Sequence, residues 1–217
     1  ALLNVPDINK RNLTSVRQIR SGAAPIAQEI LRRLAEVFPN AAITEGYGLT
    51  EVTMGATSNP SNRSGLRKIG SVGIPVFDTD IQIVSTEDGW PVAIGETGEI
   101  CVKGPQVMSG YYKKPDETRA VLRDGWLHTG DIGRMDEDGY LYIVDRKKDM
   151  LIYKGYNVYP RELEEILFQH PAVANATVIG VPEPAVGEIP VAYVILRQGA
   201  TTTAEELKNF VNQQVIP

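Results

Sequence analysis

The chain has 217 residues, 42% hydrophobic and 23% charged, with a formal net charge of −5 and one cysteine. That length suits one large domain or two small ones, and the ordinary composition excludes a disordered or fibrous chain. The acidic balance disfavours a nucleic-acid partner, the lone Cys101 excludes an internal disulfide framework and fits a reducing cytoplasmic setting, and no apolar run nears the roughly 18–20 residues of a membrane span.

Residues 16–20 read as a strand, and Pro25 then opens a helix with the apolar stripe Ile26, Ile30, Leu31, Leu34, Val37 and Phe38. Ala41 to Glu45 reads as a second strand, ending in the turn Gly46-Tyr47-Gly48. Strand, helix, strand and then a polar loop is the cadence of an α/β sheet. From about residue 69 short alternating runs take over: Asp80 to Val84, Gly98 to Lys103 and Gly139 to Val144, separated by Gly- and Asp-rich turns. This pattern predicts a small antiparallel barrel, with one short helix starting at Pro115.

Past Asp145 the pattern changes again. Pro160 starts a helix carrying Leu163, Ile166 and Leu167, and strands follow over Ala174 to Val181 and Pro190 to Leu196. Thr203 and Glu206 form a capping box for a last helix whose inner face is Leu207, Phe210 and Val211. The predicted class is α/β and α+β: the end of an α/β subdomain over 1–68, an antiparallel β-barrel subdomain over 69–147, and an incomplete α+β domain over 148–217.

Three segments carry residues suited to chemistry. Gly46-Tyr47-Gly48-Leu49-Thr50-Glu51 offers a flexible turn, an aromatic plate, a hydroxyl and a carboxylate, a set that stacks on a base, bonds a phosphate oxygen and holds a hard cation. A tight structural turn accounts for it equally well. Asp131, in Thr129-Gly130-Asp131 at a strand entrance, could accept from two ribose hydroxyls or simply cap a turn. Asp145-Arg146-Lys147-Lys148-Asp149 places Arg146 to fork onto phosphate or ribose oxygens and Lys148 at a joint between two bodies; a solvated basic run is its bland reading. Lys154-Gly155-Tyr156-Asn157 holds a glycine that admits a ligand close to the backbone. Cys101 reads as a buried strand residue, His128 as a pocket wall and His170 as structural; with so few soft ligands a zinc site is not expected.

Order and spacing say more than any one segment. Ser21-Gly22-Ala23-Ala24-Pro25, Tyr47 to Glu51, Gly95-Glu96-Thr97-Gly98-Glu99 continuing to Gly110-Tyr111-Tyr112, Gly125 to Asp131, and Asp145 to Glu162 together resemble the adenylate-forming superfamily. That superfamily includes acyl-CoA synthetases, luciferases and peptide-synthetase adenylation domains. Leu49 and the run Lys154 to Pro160 look most like fatty-acid or 4-coumarate-type CoA ligases, since amino-acid-activating domains usually carry proline at the first position.

The resemblance implies an enzyme that joins a carboxylic acid to CoA through acyl-AMP, with ATP, Mg²⁺ and CoA as reactants or cofactor. By that resemblance Gly22, Ala23, Ala24 and Pro25 line the adenine and acyl pocket. Glu45, Gly46 and Gly48 border the nucleotide and Tyr47 stacks on adenine. Thr50 holds the α-phosphate, Glu51 ligates Mg²⁺, Asp131 takes the ribose hydroxyls and Arg146 reaches ribose or phosphate. Lys148 matches the hinge of a mobile C-terminal domain, and Lys154 and Gly155 border the pantetheine tunnel. Ile152 stands where many aryl-acid ligases and luciferases have lysine, which leans towards fatty acids. The family's phosphate loop is expected before Ala1 and its adenylation lysine after Pro217, so the chain is expected to be an inactive, self-associating fragment. A non-catalytic nucleotide- or acyl-binding module and an aryl-acid or amino-acid adenylating enzyme are the alternatives.

Overall fold

Two short runs with a helical stripe between them make the first layer. β1 (Gln18–Ser21) and β2 (Ala42–Tyr47) pair in parallel, Gln18 opposite Ala42 and Ser21 opposite Glu45, and α1 (Gln28–Val37) makes the crossover that a parallel pair requires. The stripe buries Leu31, Leu34 and, just past the helix end, Phe38. The computed structural model describes residues 2–23, 26–61 and 65–215. The helix begins at Gln28 with Ala27 as its N-cap, later than the proline predicts; Ala24 and Pro25 lie outside the described residues. The sheet continues antiparallel through β3 (Thr57–Ser58) and β4 (Ile74–Pro75).

A second, curled sheet holds β5 (Asp80–Val84), β6 (Gly98–Lys103), β7 (Leu122–Arg123), β8 (Trp126–Met135) and β9 (Leu141–Arg146), with α2 (Pro115–Val121) leading into β7. Its order is β5-β6-β8-β7, antiparallel along that path, with β9 also on β8. Ile83, Ile100, Val102, Leu127 and Leu141 form one buried cluster with Val52 and Ala56 of the loop after β2. Each fully buried aliphatic side chain of this kind contributes about 1.5–3 kcal/mol, so the loop is fastened to the sheet by its own apolar residues.

The chain divides into two compact units, Ala1–Ile143 and Val144–Pro217, the boundary falling inside β9. In the second, β10 (Leu151–Tyr153), β11 (Tyr156–Val158), β12 (Val173–Glu183) and β13 (Gly187–Leu196) form a sheet of order β11-β10-β13-β12. α3 (Pro160–Gln169) and α4 (Ala204–Asn212) pack Leu163, Leu167, Leu207 and Val211 on Val173, Ala176 and Val178. The capping box forms as read: Glu206 N–H donates to Thr203 Oγ1 at 3.2 Å, and Thr203 N–H donates to Glu206 Oε2 at 2.8 Å.

Candidate nucleotide site

The loop following β2 is built to hold one shape. Tyr47 closes the strand, and its carbonyl accepts from Ala56 N–H at 2.9 Å, which pinches off the segment between them. Within it Thr50–Val52 form one 3₁₀ turn, and Thr53 and Met54 follow in left-handed backbone at φ 49° and 92°. Non-glycine residues rarely adopt such values, and two in succession next to candidate chemistry mark a conformation that the surroundings impose. The surroundings are identifiable: Val52 is fully buried, Thr53 Oγ1 donates to the Gln106 carbonyl at 2.9 Å, and Met108 N–H donates to the Glu51 carbonyl at 2.7 Å. Thr50 is thereby left exposed at the surface and Glu51 partly buried.

Asp131 arrives from β8 by a different device. Cys101 pairs with His128 and Glu99 with Ile132, so a single residue of β6 faces Thr129, Gly130 and Asp131 of β8. The sequence predicts Asp131 at a strand entrance; it lies inside the strand, on a bulge. Bulges of this kind bend a strand and re-aim side chains. Gly130 takes φ 72°, and the groups it removes from the ladder find other partners. Gly130 N–H donates to Glu99 Oε1 at 3.2 Å, Thr129 Oγ1 donates to the Ile100 carbonyl at 2.8 Å, and Asp131 N–H donates to Thr129 Oγ1 at 3.1 Å.

Two tyrosines join these pieces. Tyr47 Oη donates to Asp131 Oδ2 at 2.6 Å, across 84 residues of sequence. Burial first, and then the Asp131 charge, hold the Tyr47 hydroxyl far above the usual phenol range, so it remains a donor. Tyr111 Oη donates to Glu51 Oε1 at 2.6 Å, across 60 residues. That bond, with burial and the Glu51 charge behind it, pushes Tyr111 from its ordinary 10.0 up to about 12. A raised folded-state value stabilises the protein fully below pH 10.0, and the contribution disappears as pH climbs through about 12. Denaturant midpoints of the natural chain and of Tyr111→Phe are therefore expected to differ at neutral pH and to converge between those two values. A difference that persists unchanged in alkali would contradict the Tyr111–Glu51 pairing.

The other predicted residues fall into two groups. Gly22 and Ala23 follow β1 at the surface, Ala23 in left-handed backbone at φ 67°, and Ala24 lies outside the described residues. Gly22 sits against the Gly46 carbonyl, where an added Cβ would come within 3.3 Å, and Glu45 pairs with Ser21 across the parallel strands. These residues therefore border Tyr47 through the β1–β2 pair. Arg146, Lys148, Lys154 and Gly155 belong to the second unit. Arg146 ends β9, and a turn through Asp149 follows, its N–H donating to the Arg146 carbonyl at 3.0 Å. Lys154 and Gly155 are the paired left-handed residues of the β10–β11 hairpin turn, at φ 51° and 85°. Ile152, on β10, is half exposed.

Sequence reasoning assigns no role to several residues that organise one or other unit. Tyr111 and Glu99 lie inside the run from Gly95 to Tyr112, but nothing local says which distant group each one meets. Asp145, buried, accepts from its neighbour Arg146 N–H at 2.7 Å and from Arg161 N–H at 3.0 Å, tying the turn to the N-terminus of α3. Cys101 is a buried strand residue, as read. The fold does bring His128 beside it: Cys101 Sγ and Glu99 Oε2 both lie 3.4 Å from His128 Nδ1. Because both face one ring nitrogen, the set cannot relay a proton from thiol to carboxylate through opposite sides of the imidazole.

Tyr47, Asp131, Thr50 and Glu51 thus present a partly buried aromatic ring, a bonded carboxylate, an exposed hydroxyl and a second carboxylate within one unit. A family model described as AMP-binding enzyme matches residues 1–112, and another described as AMP-binding enzyme C-terminal domain matches residues 162–217. The chain is 45% identical to a long-chain-fatty-acid–CoA ligase of Bacillus subtilis (strain 168), over 100% of this chain and 38% of that protein. It is 40% identical to 4-coumarate–CoA ligase 1 of Glycine max, over 100% of this chain and 75% of that one. Among solved structures, ATP-bound MatB from Rhodopseudomonas palustris superposes with a TM-score of 0.86 at 37% identity, covering 91% of this chain and 39% of that one. The chain therefore spans about two fifths of the length of the ligase from Bacillus subtilis.

Proposed function

Because this chain belongs to the family of AMP-binding enzymes, we propose that it serves a longer protein that activates a carboxylic acid with ATP and passes it to CoA. In the first step a carboxylate oxygen attacks the α-phosphorus, the bond to the β-phosphate breaks, and acyl-AMP and pyrophosphate form. In the second the CoA sulfur attacks the acyl carbon, AMP leaves with the bonding electrons, and the thiol proton passes to solvent.

The reading is supported above all by the bond from Tyr47 to Asp131, which brings together two segments 84 residues apart that the reading assigns to adenosine. In it the Tyr47 ring stacks on adenine, bordered by Glu45, Gly46, Gly48 and the Gly22 to Ala24 segment, while Asp131 accepts from the ribose hydroxyls. Thr50 bonds the α-phosphate. Tyr111 occupies Glu51 Oε1 and leaves Oε2 for a cation. One carboxylate suits Mg²⁺, which takes most of its ligands from phosphate and water. Bound there, Mg²⁺ would neutralise charge on the polyphosphate. In the second unit Arg146 contacts ribose or phosphate, the turn holding Lys148 acts as a hinge, and Lys154 and Gly155 border the pantetheine arm.

A fatty acid is the favoured substrate, on the likeness to the Bacillus subtilis ligase and on Ile152 in a position where aryl-acid ligases carry lysine. An aryl acid is the second reading, on the likeness to the Glycine max ligase. Pyrophosphate exchange by the full-length protein, screened over fatty, aryl and amino acids, tests both. Exchange with fatty acids is the expected result, exchange with aryl acids alone selects the second reading, and exchange with amino acids alone overturns both. The 217 residues include no Ser/Thr/Gly-rich phosphate loop, so this chain by itself is expected to release no AMP from ATP, CoA and acid. Each missing charged partner costs about 10²–10³ in rate.

A further inference from the structure

One buried carboxylate has no part in the adenylation reading. Glu99 on β6 is 7% exposed, and a carboxylate in that setting persists only with hydrogen-bond donors on its oxygens. Two of its contacts come from β8, one of them from the bulge itself. Gly130 N–H is 3.2 Å from Oε1, a normal bond, and His128 Nδ1 is a longer 3.4 Å from Oε2. Gly130 is the left-handed residue whose N–H the bulge has turned out of the ladder, and the next residue is Asp131. Moving the Gly130 peptide would rotate the Asp131 Cα–Cβ bond away from Tyr47. The Thr129 hydroxyl fixes the bulge from its other side.

We propose that Glu99 is a positioning residue for nucleotide recognition: its buried carboxylate holds the Gly130 peptide and so aims Asp131 at the ribose. This rests on the reading of Asp131 as the ribose acceptor. Glu99 acts through the backbone of β8, so its loss should be felt by ligands that carry the ribose hydroxyls and by no others.

The test compares ATP with 2′,3′-dideoxy-ATP, titrated into the full-length protein and followed in ¹H–¹⁵N correlation spectra. The natural protein should bind ATP about a hundredfold or more tighter than the dideoxy nucleotide, since two hydrogen bonds to a charged group are at stake. In Glu99→Ala the dissociation constant for ATP should rise about fivefold to tenfold while that for the dideoxy nucleotide stays within about twofold. The Gly130 amide proton should move upfield on losing its acceptor. Equal weakening of both nucleotides, or unchanged ATP binding, would overturn the proposal. Should Glu99→Ala fail to fold, Glu99→Asp, which keeps the charge but withdraws the acceptor by one methylene, decides by the same comparison, with a smaller ATP-selective loss expected. If the natural protein itself binds the two nucleotides equally, the ribose reading of Asp131 is what fails, and the role of Glu99 falls with it.

Discussion

Gly48→Ala is expected to destabilise the first unit by about 3 kcal/mol or more, the cost of forcing atoms into a packed site with no room to relax. A Cβ built on Gly48 lies 1.6 Å from the Met54 carbonyl oxygen and 2.9 Å from Gly55 Cα. Both neighbours are backbone, and Met54 already sits in left-handed conformation between the pinned residues Thr53 and Ala56. The loop cannot give way without breaking the bond that closes it or withdrawing Val52 from the core. Gly130→Ala is the informative contrast. Its Cβ would meet nothing within 4 Å, and only its φ of 72° opposes the change, so about 1–2 kcal/mol is expected. Both tryptophans, Trp90 and Trp126, lie in the first unit, so their fluorescence in a urea titration reports the relevant transition. Similar midpoints for the two variants would show that the loop after β2 is softer than its contacts imply.

The same contrast explains which features were legible in the sequence. Segments with a sustained period were readable: the α1 stripe, the alternations of β5 and β6, and the capping box of α4 appear within a few residues of their expected positions. β3, β4 and β7 are two residues long and have no period to read. The β10–β11 hairpin was missed because Lys154-Gly155 carries its turn, where Asn-Gly or Asp-Gly would have signalled one. The strand boundary at Asp131 was misplaced for a related reason. Gly130 looks like a strand breaker in sequence, whereas in the fold it carries a bulge through the middle of a ten-residue strand. In the candidate site, residue types were visible but their pairings were not. Nothing near Glu51 announces Tyr111, and nothing near Asp131 announces Tyr47, because those contacts are set by how β2, β6 and β8 are placed in three dimensions.

In the full-length protein, Asp131→Ala is expected to lower kcat/KM for ATP by about 10²–10³-fold, the worth of two charged hydrogen bonds to the ribose. Tyr47→Phe should lower it by only about tenfold, because the ring that stacks on adenine remains and one hydroxyl is lost. How the two changes combine separates two roles for that hydroxyl. If Tyr47 Oη acts by holding Asp131 Oδ2 at 2.6 Å, removing it from a protein that already lacks the carboxylate changes nothing further. The double variant should then match Asp131→Ala within about a factor of two. If Tyr47 Oη instead meets the nucleotide directly, the two losses multiply. The hydroxyl is held as a donor far above neutral pH, so the outcome should be the same throughout the working pH range. Multiplying losses would detach Tyr47 from Asp131 and remove the observation on which the adenosine site chiefly rests.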